Sequence, residues 1–266
     1  MNHINSHHPH SAPTADAIQA PLSGDQQRWV EAFQEINAWL QATGVKYWIN
    51  MGTLLGAVRE GGLMTRTSDI DFGASIVEAP QLLRNLSVLG QRGWRVDVTT
   101  FSIFLSRPAT DVVVELILYV PHGDWLWTPL LKIPPRFNGL LKYSDLLAER
   151  AIYRDYHQNI PRHYTMAYAL IPRFLDRPVR SFLFKLNDAF GQRHHAMVIP
   201  AASVASLMPI RLCGMECSAP APASDYLELI YGPDWTIPNP NWSVAEVKSL
   251  DNTLFRTRDQ ARYCLI

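Results

Sequence analysis

Cysteine is scarce in this 266-residue chain: Cys213, Cys217 and Cys264 are the only three, an odd number with no CxxC pair and no histidines at finger spacing. That pattern argues against a disulfide framework or a thiolate zinc site and fits reduced thiols in a cytosolic protein. Net charge is also missing, since 24 Lys and Arg balance 24 Asp and Glu and the isoelectric point is near 7.1. No global field draws nucleic acid or an anionic membrane, so no nucleic-acid partner is expected. No apolar run reaches the ~18–20 residues of a membrane helix, and residues 1–22 lack the charged-then-apolar order of a signal peptide. The expected location is cytoplasmic, at most peripheral to the inner face of the membrane, with no transmembrane segment.

What is present is core-forming material: 47% of residues are apolar and 11% aromatic. Residues 1–22 hold His3, His7, His8 and His10 among Ser, Pro and Ala without a periodic apolar face, and read as a disordered tail. From Ser23 onward one domain, 23–266, is expected, because no repeat and no convincing linker interrupts the rest.

Ser23 and Gln26 form a capping-box pattern ahead of the stripe Trp29, Phe33, Ile36, Leu40, which predicts a helix stopped by Gly44. Lys46–Asn50 reads as a short strand entering Gly52-Thr53, then a helical turn over Leu54–Val58, broken at Gly61-Gly62. Asp69–Ile76 reads as a strand. Pro80 opens a helix carrying Leu82, Leu83, Leu86 and Leu89, and Trp94–Ser106 reads as two strands or one bent strand. Val112–Val120 is apolar on both faces and predicts a central strand.

The second half is less regular. Pro121, Pro129, Pro134 and Pro135 suggest a loop-rich stretch around Trp125 and Trp127, with a helix starting near Ser144. Helices are also predicted from Pro178 to Gly191 and over Asp225–Tyr231, capped by Ser224 and stopped by Gly232. Ser243 with Glu246 caps a last helix.

The chemistry concentrates between Gly52 and Gly73. In Asp69-Ile70-Asp71 on a strand both carboxylates face one way, because side chains alternate with period two. Like charges so placed repel, and either one stays protonated or a cation sits between them; an all-oxygen donor set suits Mg2+ or Mn2+. Glu115 interrupts the apolar strand, where a bare carboxylate costs several kcal/mol. It either shares that cation or sits at an edge or beside an arginine such as Arg59. Gly52 and Thr53 offer backbone N–H groups at a helix start that can hold phosphate, or are a plain turn. Arg59 can grip phosphate oxygens in a bidentate way, or pair with Glu60 or an aspartate. Gly61 and Gly62 let backbone approach a ligand, or are a flexible turn. Trp235 can stack on a base or clamp the C-terminal segment. Asp155, His157 and His163 could supply a base, although surface histidines are commoner.

Gly52-Thr-Leu-Leu-Gly-Ala-Val-Arg59, then Gly61-Gly62, then Asp69-Ile-Asp71, resembles the signature of the LicD and fukutin-related family of the nucleotidyltransferase superfamily. Pro222 followed by Tyr226-Leu-Glu-Leu-Ile-Tyr-Gly-Pro-Asp-Trp235 and Pro238 is similar to that family's C-terminal motif. The resemblance implies an α/β (α+β) fold, a nucleotidyltransferase-like mixed sheet flanked by helices with a helical, loop-rich C-terminal half. It implies Mg2+ or Mn2+ on Asp69, Asp71 and Glu115, which also act in catalysis. It further implies transfer of a phospho-alcohol, such as phosphocholine or ribitol phosphate, from a CDP-activated donor to a hydroxyl of a glycan or glycolipid acceptor, as in capsule or lipopolysaccharide assembly. The alternatives are nucleotidyl transfer to a small hydroxylated acceptor, and a non-catalytic binding protein retaining the fold. The family pattern Pro-Trp-Asp-Asp-Asp-Ile-Asp is not kept, since Thr65, Arg66, Thr67 and Ser68 precede Asp69; altered specificity with a retained site is the reading favoured.

Overall fold

The computed structural model describes residues 23–64, 69–108, 110–133, 172–190 and 193–251. The expected tail 1–22, the helix near Ser144, residues Thr65–Ser68, and Asp155, His157 and His163 lie outside them.

The chain opens with α1 (Gly24–Thr43), where Ser23 and Gln26 make the expected reciprocal capping box and Gly44, at φ 70°, ends the helix in the left-handed region. β1 (Tyr47–Ile49) leads directly into α2 (Met51–Arg59), followed by β2 (Ile70–Ser75), α3 (Ala79–Gln91), β3 (Arg95–Val98), β4 (Ser102–Arg107) and β5 (Val112–His122). Helix α2 is therefore longer than the sequence suggests. Gly52 and Thr53 lie in its first turn rather than ahead of it.

β5 is the axis of the sheet. It pairs in parallel with β2, antiparallel with β4, and by its last three residues with β6 (Trp125–Ile133). β6 pairs with β7 (Arg193–Pro200), so the eight-stranded mixed sheet runs β1-β2-β5-β6-β7-β10, with β4 and β3 extending from β5 and β10 spanning Leu250–Asp251. Parallel pairing needs a crossover, and α3 with β3 and β4 fills the interval between β2 and β5.

Several elements correct the sequence reading. The stretch around Trp125 and Trp127 is a strand. Pro121 is tolerated near the end of β5, and Pro129 falls where the β6–β7 register shifts, the place a residue without an N–H fits. A hairpin of β8 (Leu207–Leu212) and β9 (Met215–Pro220) forms a separate two-stranded sheet. Both its strands are edges, which accommodates Pro209 and Pro220. α4 (Asp176–Ala189) begins two residues before Pro178. α5 (Ala223–Tyr231) starts after a cis Ala221–Pro222 bond, with Pro222 at the cap position and Ser224 inside the helix. Glu246 does close a capping box with Ser243, but only a 3-10 turn, Val244–Glu246, follows.

Alternation along β2 sorts the two layers. Phe72 faces α1, stacking on Phe33 with centroids 5.8 Å apart, and Tyr47 meets Phe72 edge-on at 6.0 Å. Asp71 and Gly73 face the other way, toward α2 and α5. A Cβ on Gly73 would lie 2.5 Å from the Trp48 indole, so glycine is what lets Trp48 lie flat across β2 and pack on Tyr119, centroids 5.5 Å apart.

Candidate active site

The parallel register sets Asp71 beside Glu115, and Ile70 beside Val114. Both carboxylates leave the same face, and Asp69, two residues before Asp71, joins them: one oxygen from each of the three lies within 4.8 Å of the others. Asp71 is buried, at 7% exposure, while Asp69 and Glu115 are half-buried. Burial pushes the Asp71 carboxyl well above its ordinary 3.8, and the charges of Asp69 and Glu115 push it further. Glu115 is raised by burial as well, against a hydrogen bond donated by the Ser102 hydroxyl at 2.7 Å and in concert with Asp69. Three mutually repelling, partly desolvated carboxylates with only oxygen donors are the arrangement a hard divalent cation relieves. Glu115 is thus neither at a sheet edge nor paired with Arg59.

Asp71 is held by the N-terminus of α2. The Gly52 N–H donates to Asp71 Oδ2 at 3.2 Å, the Asp71 N–H donates to Thr53 Oγ1 at 2.8 Å, and the Asn50 N–H donates to the Asp71 carbonyl at 3.0 Å. The Gly52 N–H, expected free for phosphate, is used inside the protein, and Thr53 is buried. The helix start serves the carboxylate directly, where its positive end also favours negative charge.

Arg59 closes α2. One of its terminal nitrogens (Nη2) pairs with Glu60 at 2.8 Å and touches Met64 Sδ at 3.4 Å, so the pairing is with Glu60 rather than the aspartates; its Nε is buried with no hydrogen-bond partner. Gly61 has φ 69°, and the Gly62 N–H donates to the Gly56 carbonyl at 3.3 Å. A Cβ on Gly56 would meet the Gly62 carbonyl at 2.6 Å, so this turn is packed against α2. Trp235 is half-buried against the hydrophobic core, away from a free-standing position. Tyr231, at the end of α5, packs at a tilt on Trp242 with centroids 4.9 Å apart; its hydroxyl pKa is raised by burial and by the nearby Asp71 charge.

Two features escaped the sequence reading. Ser102 reaches Glu115 from β4. Beneath the carboxylates, the Asn50 side chain donates to Tyr119 OH at 2.9 Å and accepts from Tyr226 OH at 2.8 Å. Tyr119 was legible in principle, since it lies four residues after Glu115 and so on the same strand face.

The site thus lies on a mixed sheet flanked by helices, with Asp69 just before and Asp71 on one strand and Glu115 on its parallel neighbour. Residues 44–111 match the model of the LicD/FKTN/FKRP nucleotidyltransferase domain. The match contains Asp69 and Asp71 and stops before Glu115. An uncharacterized protein of Rickettsia typhi is 26% identical over 84 residues, 32% of this chain and 27% of that relative. An uncharacterized protein of Rickettsia prowazekii is 26% identical over 110 residues, 40% of each. The chain thus spans less than half the length of these curated relatives. Among solved structures, ANT(2")-Ia in complex with adenylyl-2"-tobramycin aligns over 59% of this chain and 97% of its own, at 14% identity and TM-score 0.29. A solution structure of ANT(2'')-Ia aligns over 59% and 90%, at 16% identity and TM-score 0.30. Among the described residues no helix is long and apolar enough to cross a membrane.

Proposed function

We propose that this chain is a divalent-cation-dependent phosphotransferase that moves a phospho-alcohol from a CDP-activated donor to a hydroxyl of a glycan or glycolipid acceptor. The observation that carries the reading is the convergence of Asp69, Asp71 and Glu115 within 4.8 Å, beside the match of residues 44–111 to the LicD/FKTN/FKRP nucleotidyltransferase model. These three residues would hold Mg2+ or Mn2+. A cation bound there neutralises diphosphate charge and favours departure of the nucleoside monophosphate.

The chain's own residues do the remaining work. The α2 N-terminus fixes Asp71 through Gly52 and Thr53. Arg59 is assigned a donor phosphate oxygen, a role its buried Nε–H without a hydrogen-bond partner supports, and the Gly61–Gly62 turn is assigned a backbone contact with the same ligand. Trp235 is assigned the edge of the donor pocket. The work is done at the cytoplasmic side, on an acceptor that is soluble or presented at the inner face of the membrane, by a single domain over 23–266.

The test is incubation with CDP-choline, CDP-ribitol or a nucleoside triphosphate in the presence of Mg2+, scoring CMP against pyrophosphate. CMP release abolished by Asp71→Asn supports the proposal. Pyrophosphate release would transfer the site to nucleotidyl chemistry. Absence of either product, with no Mg2+-dependent nucleotide binding by calorimetry, would make the chain a binding protein.

A further inference from the structure

The turn between β1 and α2 aims Asp71, yet it is strained and has no cap of its own. Met51 adopts φ 42°, in the left-handed region that disfavours a non-glycine residue, and Asn50, the cap residue, makes no side-chain hydrogen bond to the helix start. Such a conformation persists only where the surroundings hold it.

The Asn50 amide is instead gripped at both ends by tyrosines from distant elements. Its Nδ2 donates to Tyr119 OH on β5 at 2.9 Å, and its Oδ1 accepts from Tyr226 OH on α5 at 2.8 Å. All three residues are buried. The backbone on either side of Asn50 then meets Asp71 twice: the Asn50 N–H on its carbonyl, and the Gly52 N–H on its Oδ2. Asn50 is thereby the junction between the C-terminal helix and the carboxylate.

We infer that Asn50, clamped between Tyr119 and Tyr226, is a positioning residue that holds the strained β1–α2 turn so that Gly52 keeps Asp71 aimed into the carboxylate cluster. The inference rests on the metal reading only for its consequence in cation affinity, and not for the positioning itself. It gives α5, far along the chain from Asp71, a task in the site without requiring it to touch substrate.

The experiment compares Tyr226→Phe and Tyr119→Phe with Tyr47→Phe in the full chain. Tyr47 OH donates to Asn37 Oδ1 at 2.7 Å, a buried tyrosine–asparagine bond of the same kind that does not reach the turn. The first readout is amide hydrogen exchange at Gly52 without metal, judged by NMR under conditions where each variant is folded. Loss of one clamp bond is expected to speed Gly52 exchange about five- to ten-fold, with the middle of α1 unchanged. Tyr47→Phe is expected to leave Gly52 unchanged. The second readout is Mn2+ affinity by electron paramagnetic resonance, expected to fall about five- to ten-fold in the two clamp variants alone. Equal Gly52 exchange in clamp and control variants overturns the inference. Faster exchange in a protein whose wild type binds no Mn2+ leaves the positioning role standing and removes the metal reading. Should one clamp variant fail to fold, the other decides.

Discussion

Asp71 and Glu115 stand opposite one another in the parallel ladder between β2 and β5, so register alone presses two carboxylates together on one face of the sheet. Among the described residues neither is compensated by a cationic side chain: the Asp71 carboxylate accepts from a backbone N–H and Glu115 from a serine hydroxyl. A pair so arranged costs the metal-free fold something and favours a bound cation. The consequences differ for pH, for the hydroxyl that supports Glu115, for the glycines that make room, and for Arg59.

The first prediction concerns pH. Both carboxyls are raised in the folded state, so their contribution to stability is full below the ordinary carboxylate values of 3.8 and 4.5 and is lost as pH rises through the folded values. In EDTA, the unfolding midpoint should therefore decline from about pH 4.5 toward neutrality by more than in an Asp71→Asn variant. At pH 7 that variant should be more stable than the wild type by about 1 kcal/mol, the usual sign when a strained functional charge is removed. Urea titrations at four pH values check it. A wild type and variant with parallel pH profiles would show that Asp71 is not strained by its neighbours. With Mg2+ the wild type should gain midpoint and the variant should not.

Ser102 supplies a second prediction. Its hydroxyl bond favours the charged form of Glu115, so Ser102→Ala should raise the Glu115 carboxyl further and weaken Mn2+ binding. A hydrogen bond to a charged group is worth about 1.5–3 kcal/mol, which corresponds to roughly a ten-fold loss or more. Calorimetric titration at pH 6 and pH 8 reads it: the deficit should be larger at pH 6, where the more basic carboxyl must first lose its proton. An equal deficit at both values would make Ser102 a packing residue.

How far the site could be read beforehand follows from where its signals lie along the chain. Asp69 and Asp71 are two apart, and strand alternation alone puts them on one face. Glu115 was visible as a charge in an apolar run, but its pairing with Asp71 depends on a parallel register that no local pattern encodes. The same limit hid β6, where Pro129 resembles loop punctuation until the register shift beside it is seen. Gly52 was legible as a helix-start glycine; that its N–H is consumed by Asp71 was not, because the partner sits on another strand. Tyr119 reads as part of an apolar strand and Tyr226 as part of the C-terminal motif; that their hydroxyls converge on Asn50 from β5 and α5 is seen only in the fold.

The glycines give a third prediction about fold rather than chemistry. Gly73→Ala puts a methyl 2.5 Å from the Trp48 ring, with Trp48 already packed on Tyr119. Overpacking of this kind costs about 1–3 kcal/mol, and urea midpoints should show it. Gly56→Ala instead meets the Gly62 carbonyl at 2.6 Å, so it should displace the 61–62 turn and reduce donor affinity more than stability. Reversal of that order, with Gly56→Ala the more destabilising and donor affinity intact, would assign the turn to structure alone.

Arg59 separates a salt bridge from a phosphate ligand most cleanly. The Glu60 pair is made at the surface, where such pairs contribute about 0–1 kcal/mol, and a lysine could replace it. The Nε–H cannot be replaced so, because lysine lacks the planar fork, and that atom lies buried with no hydrogen-bond partner. If the bridge is the purpose of Arg59, Arg59→Lys and Glu60→Gln should be equally mild in stability and in donor binding. If the purpose is a donor phosphate, Arg59→Lys should lose about ten- to hundred-fold in donor affinity, the worth of one charge-assisted hydrogen bond, while Glu60→Gln stays within about two-fold and both keep the wild-type unfolding midpoint. Donor titrations by calorimetry on the two variants, at matched Mg2+, decide between them, and equal losses would return Arg59 to the surface.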